Sequence, residues 1–371
     1  MRYVPSTGAS TASRNIDTMR GWCVLVAIGC GSSHRAAPSD GVTIDVDAAA
    51  DTSAQPDAPA DAMLSTASPS CTTTPTILFD TSPSLISNIA QAGNILYVGT
   101  YNGSSGAVLA IDPTTGSQVA TPLTTTGTPR LSVSDNVVYV GDAASAGSIW
   151  KWVPGDAPSE LVPGRPYPTT VTTDGTYVYW SEQDTTPPND VIQRRLLTGT
   201  TITKVMSCNL AQDLFVVDGT LYCPAYLVGD ILYALADGTS TSTNSMGYAP
   251  GAMGTGYPIA STILDRTDLY FVNLYNNPEL YRAPLPAGPS VLLTESPDIS
   301  RYSGLAATAD YFYAVDIDRG IDQIRRSDNT VTTIYPVTGL ADDPVLWNGQ
   351  LYVAGSNPML SGQRYVMHCI D

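Results

Sequence analysis

Histidine is almost missing, with two residues in a chain of 371. That leaves little for multi-histidine metal sites or for His-based acid–base chemistry. No run of about 20 apolar residues occurs, so the sequence contains no membrane-spanning helix. Basic residues are scarce as well: 17 Lys plus Arg stand against 34 Asp plus Glu, a formal charge of −17. A nucleic-acid binder needs a basic face to displace counterions from phosphate, and a chain with a pI near 4.2 does not provide one. Only 14% of residues are charged while 43% are apolar, which excludes uniform disorder. What the chain does have is Gly (31), Pro (28) and Tyr (21), a composition suited to short strands and frequent turns.

The first thirty residues read as an export signal. Met1 to Arg20 is polar, with Arg2, Arg14 and Arg20 against Asp17, and Met19 is an alternative start. A short apolar stretch follows, Trp22-Cys23-Val24-Leu25-Val26-Ala27-Ile28-Gly29, too short to span a bilayer and followed directly by Cys30. A cysteine after a small residue at this place resembles the lipobox of bacterial lipoproteins. The resemblance implies cleavage before Cys30, a diacylglyceryl thioether on its sulfur and an N-acyl chain such as palmitate. Gly31 in place of Asp implies sorting to the outer membrane of a Gram-negative bacterium. Two or more acyl chains form a durable anchor, at about 0.8 kcal/mol per buried CH₂.

Three regions follow: a signal over 1–29, a tether over 30–70 and a domain over 71–371. The tether is rich in Ala, Ser, Pro and Thr, and carries Asp40, Asp45, Asp47, Asp51, Asp57 and Asp61 with no base after Arg35. Too few of its residues can form a core, so disorder is expected, with a reach of roughly 35 Å. The domain holds 27 acids and 13 bases, so it stays acidic without the tether.

Internal repetition is the strongest signal. Tyr recurs in a strand-like context at Tyr97, Tyr139, Tyr179, Tyr222, Tyr270, Tyr313 and Tyr352, with spacings of 42, 40, 43, 48, 43 and 39. A turn signal precedes each, including Asp174-Gly175, Asp218-Gly219 and Asn348-Gly349. A third strand follows after a short loop, as in 108–111, 149–153 and 191–196. A Thr-rich fourth strand closes most units, as in 200–205 and 330–335. Four short antiparallel strands at a period near 42 describe a propeller blade. The fold expected is all-β, a seven-bladed β-propeller. The seventh unit ends one strand short at Asp371, and Thr76–Asp80 is a spare strand, so the N-terminal strand should complete the last blade and close the ring.

Cysteine count agrees with export. Cys23 leaves with the signal and Cys30 is lipidated, which leaves Cys71, Cys208, Cys223 and Cys369. Their places near strand ends predict Cys71–Cys369 and Cys208–Cys223 disulfides, with free buried thiols as the alternative.

Two repeats have family character. Tyr179-Trp180-Ser181-Glu182, followed by Ile192, Arg194, Leu197 and Gly199, resembles the Tyr-Trp-Thr-Asp (YWTD) repeat of LDL-receptor-type propellers, which have six blades. Tyr97-Val98-Gly99-Thr100, followed by Ala110-Ile111-Asp112-Pro113-Thr114-Thr115-Gly116, is similar to the quinoprotein-type (PQQ-like) repeat. That repeat also occurs in the propeller lipoprotein of the outer-membrane barrel assembly machine; Ala120 stands near the place of the family's docking tryptophan. The resemblances cover blade architecture and imply little about activity.

Candidate chemistry lies on the loops between second and third strands. Asp316, Asp318 and Asp322 alternate around Gly320 as a calcium loop would, or form a solvated acidic hairpin. Glu182, Asp184 and Asp190 could act as paired carboxylates on a glycoside, or be a polar loop. Tyr101, Asn102, Tyr275, Asn276 and Asn277 offer aromatic and amide groups for a sugar or peptide. His368 is the domain's only histidine, and no Gly-x-Ser-x-Gly elbow is present. No catalytic group or cofactor is assigned. The expected function is a monomeric, membrane-anchored binding or scaffold module for a protein or glycan partner. A propeller enzyme, either a lyase or a glycan-active one, and a structural part of outer-membrane assembly are the alternatives.

Overall fold

A computed structural model describes residues 76–183, 189–211, 213–225, 230–239, 243–246, 259–265, 267–273, 279–286, 288, 290–295, 302–336, 340–357 and 363–369. These all belong to one compact unit, Gln55–Asp371. Strand β1 is Thr76–Asp80. The first sheet is β2 (Leu85–Ala92), β3 (Ile95–Tyr101), β4 (Gly106–Ile111) and β5 (Leu123–Thr125). The second is β6 (Thr128–Ser134), β7 (Val137–Ala143), β8 (Gly147–Trp152) and β9 (Ser159–Arg165). The third is β10 (Val171–Thr173), β11 (Tyr177–Gln183), β12 (Asn189–Leu196) and β13 (Ile202–Asn209). The fourth is β14 (Phe215–Val217), β15 (Thr220–Ala225), β16 (Asp230–Leu235) and β17 (Asn244–Ser245). The fifth is β18 (Ile259–Asp265), β19 (Asp268–Asn273), β20 (Glu279–Pro284) and β21 (Val291–Glu295). The sixth is β22 (Tyr302–Ala307), β23 (Tyr311–Asp316), β24 (Gly320–Arg325) and β25 (Val331–Pro336). The seventh joins β26 (Leu340–Trp347), β27 (Gln350–Asn357) and β28 (Gln363–Cys369) to β1, in the order β1-β28-β27-β26.

The repeated tyrosines explain why these sheets pack side by side. Each is buried, and each belongs to an apolar cluster shared with the next sheet. Tyr97 packs with Val138, Val140 and Trp152. Tyr139 packs with Val178 and Trp180, and Tyr179 with Leu221 and Cys223. Tyr222 meets Phe271, Tyr270 meets Phe312, and Tyr313 meets Leu351 and Val353. Finally Tyr352 packs against Leu96 and Val98, bringing the last sheet onto the first. The architecture is an all-β propeller. Each large side chain that is buried in this way contributes about 1.5–3 kcal/mol.

Turn chemistry sets the hairpins. Asp135-Asn136, Asp218-Gly219 and Asn348-Gly349 all have positive φ at both residues, the geometry of type I′ turns. In the first strands of four sheets, extra residues bulge the pairing, between Ile86/Asn88, Ile259/Ser261, Tyr302/Gly304 and Ala341/Val345. The first of these bulges frees polar groups to bond the neighbouring sheet. Ser87 Oγ donates to Pro129 O at 2.6 Å and Asn88 Nδ2 to Leu131 O at 2.9 Å.

The spare N-terminal strand expected from the sequence is β1, paired antiparallel with β28 from Thr76↔His368 to Asp80↔Tyr365. Cys208 and Cys223 are disulfide-bonded, linking β13 of the third sheet to β15 of the fourth. Cys71 lies outside the described residues, as do Cys30, the signal and the tether. Cys369 ends β28, where only its backbone is described.

Candidate functional site

In every sheet the second strand ends and the third begins at one end of the ring, where the first strand also begins and the fourth ends. This is the loop end. The opposite, hairpin end carries the turns between first and second strands and between third and fourth. The position three residues after each anchor tyrosine lies within the last three residues of the second strand, at the loop end. It holds Thr100, Asp142, Glu182, Ala225, Asn273, Asp316 and Gly355. Five of the seven are polar, and all five are buried. A buried polar group is costly unless it is bonded, so their partners define what this end can do.

Asp142 holds the crossover between the first and second sheets. Its carboxylate accepts the Thr126 N–H at 2.9 Å, the Thr126 hydroxyl at 2.8 Å and the Gly127 N–H at 2.6 Å. Glycine is needed beneath it: a methyl group on Gly147 would lie 1.8 Å from the Asp142 carbonyl oxygen. Glu182 holds the next crossover. It accepts both Arg165 Nη2 at 2.7 Å and Nε at 2.8 Å, Trp180 Nε1 at 3.0 Å and Gln193 Nε2 at 2.9 Å. The Arg165 guanidinium also lies 6.0 Å from the Trp180 ring centre. Asp190 holds the third crossover by accepting the Ala211 N–H at 3.1 Å. Burial pushes its carboxyl up to about 6, against the lowering effect of that bond.

Glu182 and Asp190 therefore do not converge on one substrate. Glu182 pairs with Val191 and Asp190 with Gln183, so the two side chains leave opposite faces of the third sheet. One turns to Arg165 of the second sheet, the other to the crossover entering the fourth. The glycosidase-like arrangement is corrected by this alternation. Asp184 lies outside the described residues.

The acids read as a calcium loop are likewise placed otherwise. Asp316 Oδ1 accepts the N–H groups of Asp318 at 2.9 Å and Arg319 at 3.0 Å, which closes the β23–β24 hairpin. Asp322 is buried in the sheet, accepting the Thr333 hydroxyl at 2.7 Å and the Tyr302 hydroxyl at 3.1 Å, with Arg319 Nη2 at 3.9 Å. Asp318 is exposed in the turn. Among the described residues no group of three His, Cys, Asp or Glu is placed to hold a metal ion. Burial, then the Asp322 and Asp316 carboxylates, push the Tyr302 phenol far above its ordinary value.

Of the proposed recognition residues, Tyr101 is half-buried at the end of β3. Asn102 is exposed and closes its own loop, its Oδ1 accepting the Ser104 and Ser105 N–H groups at 3.0 and 2.9 Å. Tyr275, Asn276 and Asn277 lie outside the described residues. His368 sits on β28 between Tyr352 and Thr76 in register. Sequence reasoning missed Asp142 and Arg165; a polar residue three places after five of the seven tyrosines was a visible signal for the first.

No protein-family model and no curated protein matches the chain. Solved structures do. The computationally designed Ika8 protein is 15% identical with a TM-score of 0.51, over 80% of this chain and 91% of that one. A domain described as the extracellular part of a one-component system from B. thetaiotaomicron is 10% identical with a TM-score of 0.55. That match covers 80% of this chain and 39% of the other. At these identities the likeness is one of fold.

Proposed function

We propose that the chain is an envelope lipoprotein whose propeller, a single seven-bladed ring, is a recognition or scaffold module for a protein or glycan. In this reading Cys30 carries the lipid, residues 30–70 are the tether, and the ring is held at the outer membrane. One observation supports binding over catalysis. Asp142, Glu182, Asp190 and Asp316 at the loop end are bonded to crossover amides, to Arg165 or to their own hairpin, so they shape a rigid platform. Fixed loops on a rigid scaffold suit recognition. The likeness to an extracellular domain is consistent with an exported ring.

Two measurements test the reading. Mass spectrometry of the mature protein should find an acylated Cys30 at the N-terminus; an unmodified chain beginning at Met1 would refute the anchor. Crosslinking from membranes should then recover a defined partner through loop-end positions such as Asn102.

An enzyme is the second reading, and Asp190 is the observation behind it. A buried carboxyl with its proton affinity raised to about 6 suits proton transfer near neutral pH. Its single bond to a backbone amide is also what a structural cap requires.

A further inference from the structure

Exposed aliphatic side chains recur at one repeat position at the hairpin end. Leu196 ends β12 and pairs with Tyr177, and Leu235 ends β16 and pairs with Thr220. Val153 follows Trp152, which pairs with Val138, so it holds the same place in the second sheet. Their exposures are 36% for Val153, 41% for Leu196 and 49% for Leu235. Single exposed aliphatics are ordinary on any surface. Three in consecutive sheets at an equivalent position are not scattered. Among the described residues the same position elsewhere holds Asp112, Pro284 and Arg325; the seventh sheet's counterpart, Ile370, lies outside them.

The turns around this arc are acidic. Asp135, Asp156, Asp218 and Asp237 are exposed, and Asp174 is half-buried beside them. The Thr239 N–H and hydroxyl hold the Asp237 carboxyl below its usual range, so it stays ionised. Against these acids stand Arg194, Arg195 and the exposed Lys204, whose backbone lies beside Gly238. Arg194 is turned inward: its guanidinium lies 4.4 Å from the Tyr177 ring centre and donates to the carbonyls of Ala236 and Asp237. That contact also ties the end of β12 to the turn that follows β16.

We infer that this arc docks a cationic amphipathic protein segment, with apolar side chains on Val153, Leu196 and Leu235 and Lys or Arg toward the surrounding aspartates. The excess of acid at the rim disfavours an anionic membrane and a second copy of this acidic chain, and favours a basic partner. The surface lies opposite the proposed recognition face and stands or falls separately from it.

The probe is a labelled amphipathic peptide of Leu and Lys, titrated into the mature protein at about 0.15 M salt and followed by fluorescence anisotropy. Binding is expected, and Leu196→Glu with Leu235→Glu should weaken it about tenfold. Asp218→Lys with Asp237→Lys should weaken it and flatten its salt dependence. Val291→Glu on the outer strand β21 and Asp310→Lys in the sixth sheet are controls and should leave it unchanged. Circular dichroism checks that each variant is folded. The inference is overturned if the peptide does not bind, if a Leu–Glu peptide binds equally, or if the controls weaken binding as much. It is equally overturned if the arc variants instead abolish self-association in sedimentation or binding to phosphatidylcholine vesicles.

Discussion

The two ends of the ring tie neighbouring sheets together through different sets of contacts. At the loop end, carboxylates reach backbone N–H groups in the crossovers: Asp142 on Thr126 and Gly127, Asp190 on Ala211, Asp316 on its own hairpin. At the hairpin end, arginines reach backbone carbonyls and lie over aromatic rings. Arg194 joins the third sheet to the fourth. Arg326 joins the sixth to the fifth, donating to Thr308 O at 2.9 Å and to Asp265, with Phe312 and Tyr270 ring centres 4.6 and 5.2 Å away. Part of the acid excess is therefore architectural.

The largest effect is expected at the loop end. Glu182→Ala leaves Arg165 without its carboxylate and strands the Trp180 indole N–H. Arg165 is 23% exposed on its side chain, so solvent relieves some of the loss. Urea unfolding should show a loss of about 2–4 kcal/mol. A loss under about 0.5 kcal/mol would mean the pair is a surface ornament and the two ends do not differ in kind.

Arg326→Lys examines the other end. A lysine keeps the charge but has neither the fork to reach Thr308 O and Asp265 together nor the flat face over Phe312 and Tyr270. A loss of about 1–2 kcal/mol is expected in the same assay. Wild-type stability would show that charge alone, not planar geometry, closes this end.

Asp190 gives the only gain. Its folded carboxyl holds a proton up to about pH 6, while the ordinary value is 3.8. The folded state therefore binds more protons between those values, and its stability falls as pH rises through them. Asp190→Asn should be more stable than wild type at pH 7 by about 1–3 kcal/mol. The gain should shrink as pH drops below 6 and vanish below about 4. A constant difference across this range would separate Asp190 from the titration.

Much of the architecture was legible because its cause is local and repeated. Tyr at a period near 42 marks a side chain that must reach the next sheet. Asp-Gly and Asn-Gly mark turns that need positive φ, and Thr76–Asp80 was recognisable as a strand lacking a partner. The Cys208–Cys223 link followed from two cysteines at neighbouring strand ends. The site was much less legible. Glu182 and Asp190 look paired in the sequence, yet strand alternation sends them to opposite faces. Asp316 and Asp322 resemble metal ligands, yet Asp316 caps its own turn through the Asp318 and Arg319 N–H groups, and Asp322 is occupied by the Tyr302 and Thr333 hydroxyls, whose proximity only the folded sheet creates. The partner of Glu182, Arg165, is seventeen positions away across a crossover, beyond any local pattern.

Asp142 and Asp190 hold their crossovers through the backbone N–H groups they accept. Native-state hydrogen exchange of the Thr126 and Gly127 amides, read in wild type and in Asp142→Ala, tests it most directly. The account predicts protection in the wild type comparable to the neighbouring strands, and a drop of about tenfold or more at these two amides when Asp142 is removed. Rapid exchange in the wild type, or protection that survives the substitution, would contradict it.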